Sequence, residues 1–84
     1  MKEMKDMIRD FIIDEILEQP GFELSYDEPI IENSIIDSTE ILKLVLFVEE
    51  NSDIKVENED ITLENFGSIN QIYDFIEKNK NREI

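Results

Sequence analysis

Ile41, Leu44, Val45 and Val48 stand at i, i+3, i+4 and i+7, and Ile69, Ile72, Tyr73 and Ile76 repeat that spacing further along the chain. At about 100° per residue each set falls on one side of an α-helix, forming an apolar stripe that must be buried against another element. A third stripe, Met4, Ile8, Phe11, Ile12 and Ile16, recurs at three- and four-residue intervals. The spacing predicts main helices over about 3–18, 38–51 and 69–79. Glu15 intrudes on the first stripe and Ile13 and Leu17 lie off it, so that helix presents a broad or imperfect face.

Between the stripes the chain is punctuated. Gln19-Pro20-Gly21 ends the first helix, because proline cannot continue the hydrogen-bond ladder and glycine permits the exit. Residues 21–37, "GFELSYDEPIIENSIID", lack helical periodicity and hold the turn formers Ser25, Asp27, Pro29, Asn33 and Ser34. Phe22, Leu24, Tyr26, Ile30, Ile31, Ile35 and Ile36 should pin this long connection across the core. Ile54-Lys55-Val56 reads as a short extended return, and Ile61, Leu63 and Phe66 as a short helical turn over 62–66 plugged into the core before Gly67. Ser68 and Gln71 fit a capping box ahead of the last helix, and "KNKNREI" reads as a frayed tail. The fold class expected is all-α, one domain of 84 residues, a small four-helix bundle with three main helices, one short helix and a long first loop.

Composition narrows the chemistry. With neither cysteine nor histidine there is no disulfide, no thiolate nucleophile and no imidazole base, so an independent hydrolase is a poor fit. Twenty-two acidic against eight basic residues give a net charge of −14, which repels nucleic acid and anionic membranes and favours partners with basic surfaces. No run approaches the roughly 18 apolar residues of a membrane span, and the N-terminal "MKEMKDMIRDFII" has no signal-peptide core. A cytoplasmic protein that does not insert into membranes is expected.

"IIDSTEIL", residues 35–42, places Ser38 where the loop becomes a helix. Serine there is ordinarily a helix cap, accepting a hydrogen bond from a free amide of the first turn. Three observations weigh against leaving it at that. A helix N-terminus offers free N–H groups and partial positive charge that suit a phosphate ester. Leu42 and Leu46 fall together, with Thr39 near them, on a face outside the core stripe, where they form an apolar strip beside the hydroxyl. Finally, a chain with no Cys and no His can take part in acyl chemistry only through an attached group.

With the motif Asp37-Ser38, the helix of core and surface apolar residues after it, the acidic end Glu49-Glu50 and the Ile54-x-Val56 return, residues 35–76 resemble the acyl carrier proteins. With the first helix and long loop the resemblance spans nearly the whole chain. It implies an acyl-carrier-like bundle and a non-catalytic role: a phosphopantetheinyl transferase moves 4′-phosphopantetheine from coenzyme A onto Ser38 Oγ. Magnesium takes part only during that attachment, with Asp37 helping to hold it. The thiol of the arm then carries an acyl or aminoacyl group as a thioester. It further implies a monomer in lipid or secondary-metabolite biosynthesis, whose partners dock on Thr39, Leu42, Leu46, Glu49 and Glu50. Those partners are the transferase, an acyl- or aminoacyl-adenylating ligase, and a downstream acyltransferase or synthase. Two residues depart from the housekeeping fatty-acid carriers: Thr39 follows the serine where they have leucine, and Lys43 stands where they have an acid. That points to a specialised carrier served by a dedicated adenylating ligase.

The competing reading is an acidic helical adaptor, or a nucleic-acid mimic, that carries no prosthetic group. Other candidates are weaker. "ENED", residues 57–60, lacks the ligand alternation of a calcium loop and reads as a solvated acidic turn. Tyr26 and Tyr73 show no catalytic partner in sequence and read as packing residues, while Glu40, Lys43 and Glu49 read as helix-surface pairs.

Overall fold

The computed structural model describes residues 3–82, and at 81 and 82 the backbone alone. Helix α1 spans Met4–Phe11 and continues through one π-helical turn, Ile12–Ile16. After the long connection come α2, Ser38–Ser52, a 3₁₀ turn at Asn58–Asp60, the short α3, Leu63–Phe66, and α4, Ile69–Arg82. Helix α1 packs against α2 and α4, α3 packs against α4, and no strand is present among the described residues.

The π turn corrects the reading of the first helix. Leu17 N–H reaches back to Ile12 O at 2.8 Å and Gln19 N–H to Ile13 O at 3.0 Å, spacings wider than the α-helical i→i−4. The widened turn changes which residues share a face. Ile13, expected off the stripe, is buried with Ile12 and Ile16, Leu17 is half-buried, and Glu15, expected on it, is exposed. The helix ends at Ile16 with Leu17 as its C-cap, and Glu18 then takes a left-handed conformation, φ 53°, ahead of Pro20.

The four stripe residues of α2 are all buried, as are Ile69, Ile72 and Ile76 of α4, while Tyr73 is half-buried. Phe75, outside the α4 stripe read from spacing, is also buried and packs its ring against Phe66 with centroids 5.5 Å apart. Leu63 breaks expectation in the opposite direction. In the four-residue α3, Phe66 enters the core and Leu63 is left 50% exposed. The last helix runs on through the expected frayed segment to Arg82, helped by a Lys80–Glu77 ion pair at 3.6 Å and an Asn79 Nδ2 bond to Phe75 O at 2.8 Å. The remainder of that segment, residues 83 and 84, lies outside the described residues.

The connection from 17 to 37 belongs to the core. Leu24, Ile30 and Ile36 are buried, each worth about 1.5–3 kcal/mol of transfer free energy, and Phe22, Tyr26, Ile31 and Ile35 pack against them. Hydrogen bonds fix its path: Ile30 N–H to Gly67 O at 2.9 Å, Asn70 N–H to Tyr26 O at 3.0 Å, and the Tyr26 hydroxyl to Asp6. Gly67 sits where α3 meets α4 so closely that a Cβ would run into the Leu63 carbonyl oxygen and lie 2.7 Å from Gln71 Oε1. The Cα radius of gyration, 12.0 Å, is close to the roughly 12 Å of a compact chain this long, so the loop adds nothing to the envelope.

Candidate functional site

The loop reaches α2 through a tight reversal. Ser34 adopts φ 58°, which turns the chain so that Ile35 and Ile36 both donate to Ile30 O, at 2.9 and 3.1 Å. Asp37 follows in extended conformation and caps the helix: its Oδ1 accepts from Thr39 N–H at 3.0 Å and Glu40 N–H at 2.8 Å. Glu40 Oε1 in turn accepts from Asp37 N–H at 2.9 Å, completing a reciprocal box.

This arrangement rules out the ordinary capping role for Ser38 and corrects one expectation about its surroundings. The serine is the first residue of α2 rather than its cap, since aspartate already fills that role. The amides expected to greet a phosphate are partly spent, because two of the first-turn N–H groups point at the Asp37 carboxylate. Ser38 itself is exposed, and among the described residues no hydrogen bond engages its hydroxyl. A group attached there would hang from the helix end rather than nest in it.

Beside the hydroxyl lies a hollow of about 330 Å³ lined by Ile31, Ser34, Ile36, Asp37, Ser38, Ile41 and Ile61. Four isoleucines make its wall apolar. Sequence spacing did not bring Ile31, Ser34 or Ile61 to Ser38, because they arrive from the long loop and from the segment before α3. The one hint was the density of isoleucine in the loop.

Along α2 from Ser38, Leu42 and Leu46 are 55% and 59% exposed, outside the core as their position on the helix required. Thr39 and Glu50 are exposed as well. Glu49 is less available than expected: it is half-buried, and its Oε2 accepts from Val56 N–H at 2.8 Å, tying the Ile54–Val56 return to the helix. The surface pairs expected among Glu40, Lys43 and Glu49 therefore give way to backbone contacts, Glu40 closing the cap and Glu49 holding the return. In the "ENED" turn, Glu57 N–H donates to Asp60 Oδ2 at 3.0 Å.

Charge is unevenly spread. Residues 1–10 and 74–84 hold six of the eight cations and six of the twenty-two acids, so the whole net charge of −14 falls on residues 11–73. Ser38 lies within that acidic stretch, whose charge opposes the approach of anions. Among the described residues, no three His, Cys, Asp or Glu side chains converge as a metal site, and no helix is long and apolar enough to cross a membrane.

Tyr26 and Tyr73, read as packing residues, have polar company that sequence spacing could not show. Tyr26 donates to Asp6, which also accepts from Arg9 Nη2 at 3.0 Å, and Lys5 Nζ lies 5.6 and 5.2 Å from the Tyr26 and Tyr73 ring centroids. The Asp6 hydrogen bond, then burial and the Asp6 charge, hold the Tyr26 hydroxyl above the usual tyrosine pKa of 10.0. The cluster clamps the middle of the long loop to α1.

Together these features define a small all-α protein that presents a free serine hydroxyl at a helix start beside an apolar hollow. No protein-family model matches the chain, and no curated protein matches it.

Proposed function

We propose that the chain is an acyl carrier protein whose Ser38 Oγ bears 4′-phosphopantetheine. The observation that carries this reading is the exposed Ser38 hydroxyl, relieved of capping by Asp37 and bordered by the hollow under Ile31, Ile36, Ile41 and Ile61. A serine needed for the helix could not be modified without loss of its cap; this one can be. When attached, the arm supplies a thiol that holds an acyl or aminoacyl group as a thioester, chemistry that a chain without cysteine lacks.

The residues divide the work. Ser38 supplies the attachment oxygen, and the hollow gives the arm an apolar wall. Asp37 spends one carboxylate oxygen on the helix amides and leaves Oδ2 for a magnesium ion brought with the transferase and coenzyme A. Leu42, Leu46, Thr39 and Glu50 offer partner enzymes an apolar strip with an acidic margin, and Lys43 on the same helix favours a dedicated adenylating ligase and its downstream acyltransferase or synthase. Glu49 contributes mainly by holding the shape of that surface.

Co-expression with a phosphopantetheinyl transferase is expected to add the mass of one phosphopantetheine to the intact protein, and Ser38→Ala to abolish the gain. If a known carrier is modified in parallel and this chain is not, the net charge of −14 favours the other reading, an acidic adaptor without a prosthetic group.

A further inference from the structure

The geometry points to a second interaction surface, on the α1–α2 flank, that receives an arginine-bearing amphipathic helix of a partner protein. This surface goes beyond the carrier reading and does not depend on Ser38.

Phe47 follows Leu46 by about 100° around α2, and so lies on the opposite flank from the Leu42–Leu46 strip. It stacks on Phe11 of α1 with ring centroids 4.3 Å apart and planes 22° from parallel. Both rings are only half-buried, and they form part of a shallow cleft of about 260 Å³ lined by Met7, Asp10, Phe11, Asp14, Glu15 and Phe47.

The π turn builds the rim of this cleft. In an uninterrupted α-helix Glu15 would share the stripe of Phe11 and Ile12; the widened turn buries Ile13 and leaves Asp14 and Glu15 exposed at the cleft. Neither Asp14 nor Glu15 forms an ion pair among the described residues, where the cations in such pairs are Arg9 and Lys80.

Aromatic faces beside carboxylates select a flat cation on an apolar stem. A guanidinium can lie on a phenylalanine ring and donate its fork of N–H groups to a carboxylate at the same time. The size of the cleft argues for a side chain rather than a free small molecule, since ligand pockets generally begin at about 300 Å³. Met7 supplies an adaptable wall for the neighbouring apolar residues of the same helix.

The test is an NMR titration of the ¹⁵N-labelled chain, without prosthetic group, using a synthetic amphipathic helical peptide with leucines on one face and arginines beside them. The expected result is a set of amide shifts centred on residues 11–15 and Phe47. Binding should weaken by about tenfold or more in Asp14→Lys/Glu15→Lys but change by less than about twofold in the exposed-loop control Glu23→Lys/Glu32→Lys, which alters net charge equally. Ser38→Ala should bind as the parent does, which separates this outcome from that of the carrier reading. Shifts confined to the Leu42–Leu46 flank, equal loss in the two charge-reversed variants, or no shift at millimolar peptide would each overturn the proposal.

Discussion

Asp37 and Glu40 hold each other's backbone amides: each carboxylate accepts from the other's N–H, at 2.8 and 2.9 Å, so the first turn of α2 is closed on both sides of Ser38. The serine is thereby carried on a fixed piece of backbone while its own hydroxyl stays unengaged. In the proposed carrier role, a partner enzyme would meet a rigid presentation at the end of an otherwise irregular loop.

Separating the two roles given to Asp37 needs two substitutions. Asparagine caps helices about as well as aspartate, so Asp37→Asn should keep its melting temperature within about 2 °C, whereas Asp37→Ala should lose about 1 kcal/mol and melt roughly 4–8 °C lower. If the free carboxylate oxygen holds magnesium, Asp37→Asn also slows modification of Ser38, followed by intact mass against time. An unchanged rate would leave Asp37 a cap only.

The two sides of α2 should respond oppositely to substitution. Leu46 is 59% exposed, so Leu46→Asp should shift stability by no more than about 0.5 kcal/mol while weakening transfer to or from partner enzymes. Leu44 is fully buried, and Leu44→Ala should cost about 2–5 kcal/mol. Thermal melts of both variants, alongside a loading assay, check the pair; a large drop for Leu46→Asp would put that residue on the core side.

Gly67 has no room for a methyl group between the Leu63 carbonyl and Gln71. Gly67→Ala should therefore push α3 and α4 apart and destabilise the fold by about 1–3 kcal/mol, read from urea unfolding. Because Gly67 O also receives Ile30 N–H, the exchange protection of the Ile30 amide should fall in the same variant.

Alkaline pH should loosen the clamp at Tyr26. Its hydroxyl ionises above the ordinary 10.0 because the neutral form donates to Asp6. A folded-state pKa above the unfolded one means that the contribution is fully present below about pH 10 and disappears as pH rises through the folded value. Stability of the parent should fall across that alkaline window, and Tyr26→Phe, which has no proton to lose there, should show a shallower decline. Parallel curves for the two proteins would deny Tyr26 this role.

Much of the architecture was legible because it rests on local rules. The stripes of α2 and α4 were readable from i, i+3, i+4 spacing, the first exit from Pro20 and Gly21, and the exposure of Leu42 and Leu46 from angular position alone. What misled the reading was also local. A π turn has no strong sequence signature, and it exchanged the expected places of Ile13 and Glu15. A four-residue helix has too few turns for spacing to say that Leu63 stays outside. Which residue caps α2 was not legible because both residues of Asp37-Ser38 are good caps, and only the extended backbone at Asp37 distinguishes them.

By itself the sequence determined the helical class, the three apolar stripes, the lack of thiol and imidazole, and the position of one serine at a helix start, since periodicity and side-chain chemistry are properties of neighbouring residues. The tertiary structure decided what surrounds that serine. It brought Ile31, Ser34 and Ile61 to its side, clamped Tyr26 to Asp6, and stacked Phe11 on Phe47. Except for Ile31 and Ser34, which an irregular reversal folds back onto the helix start, those contacts join residues far apart in the chain, and they arise only when buried stripes from separate segments pack into one core.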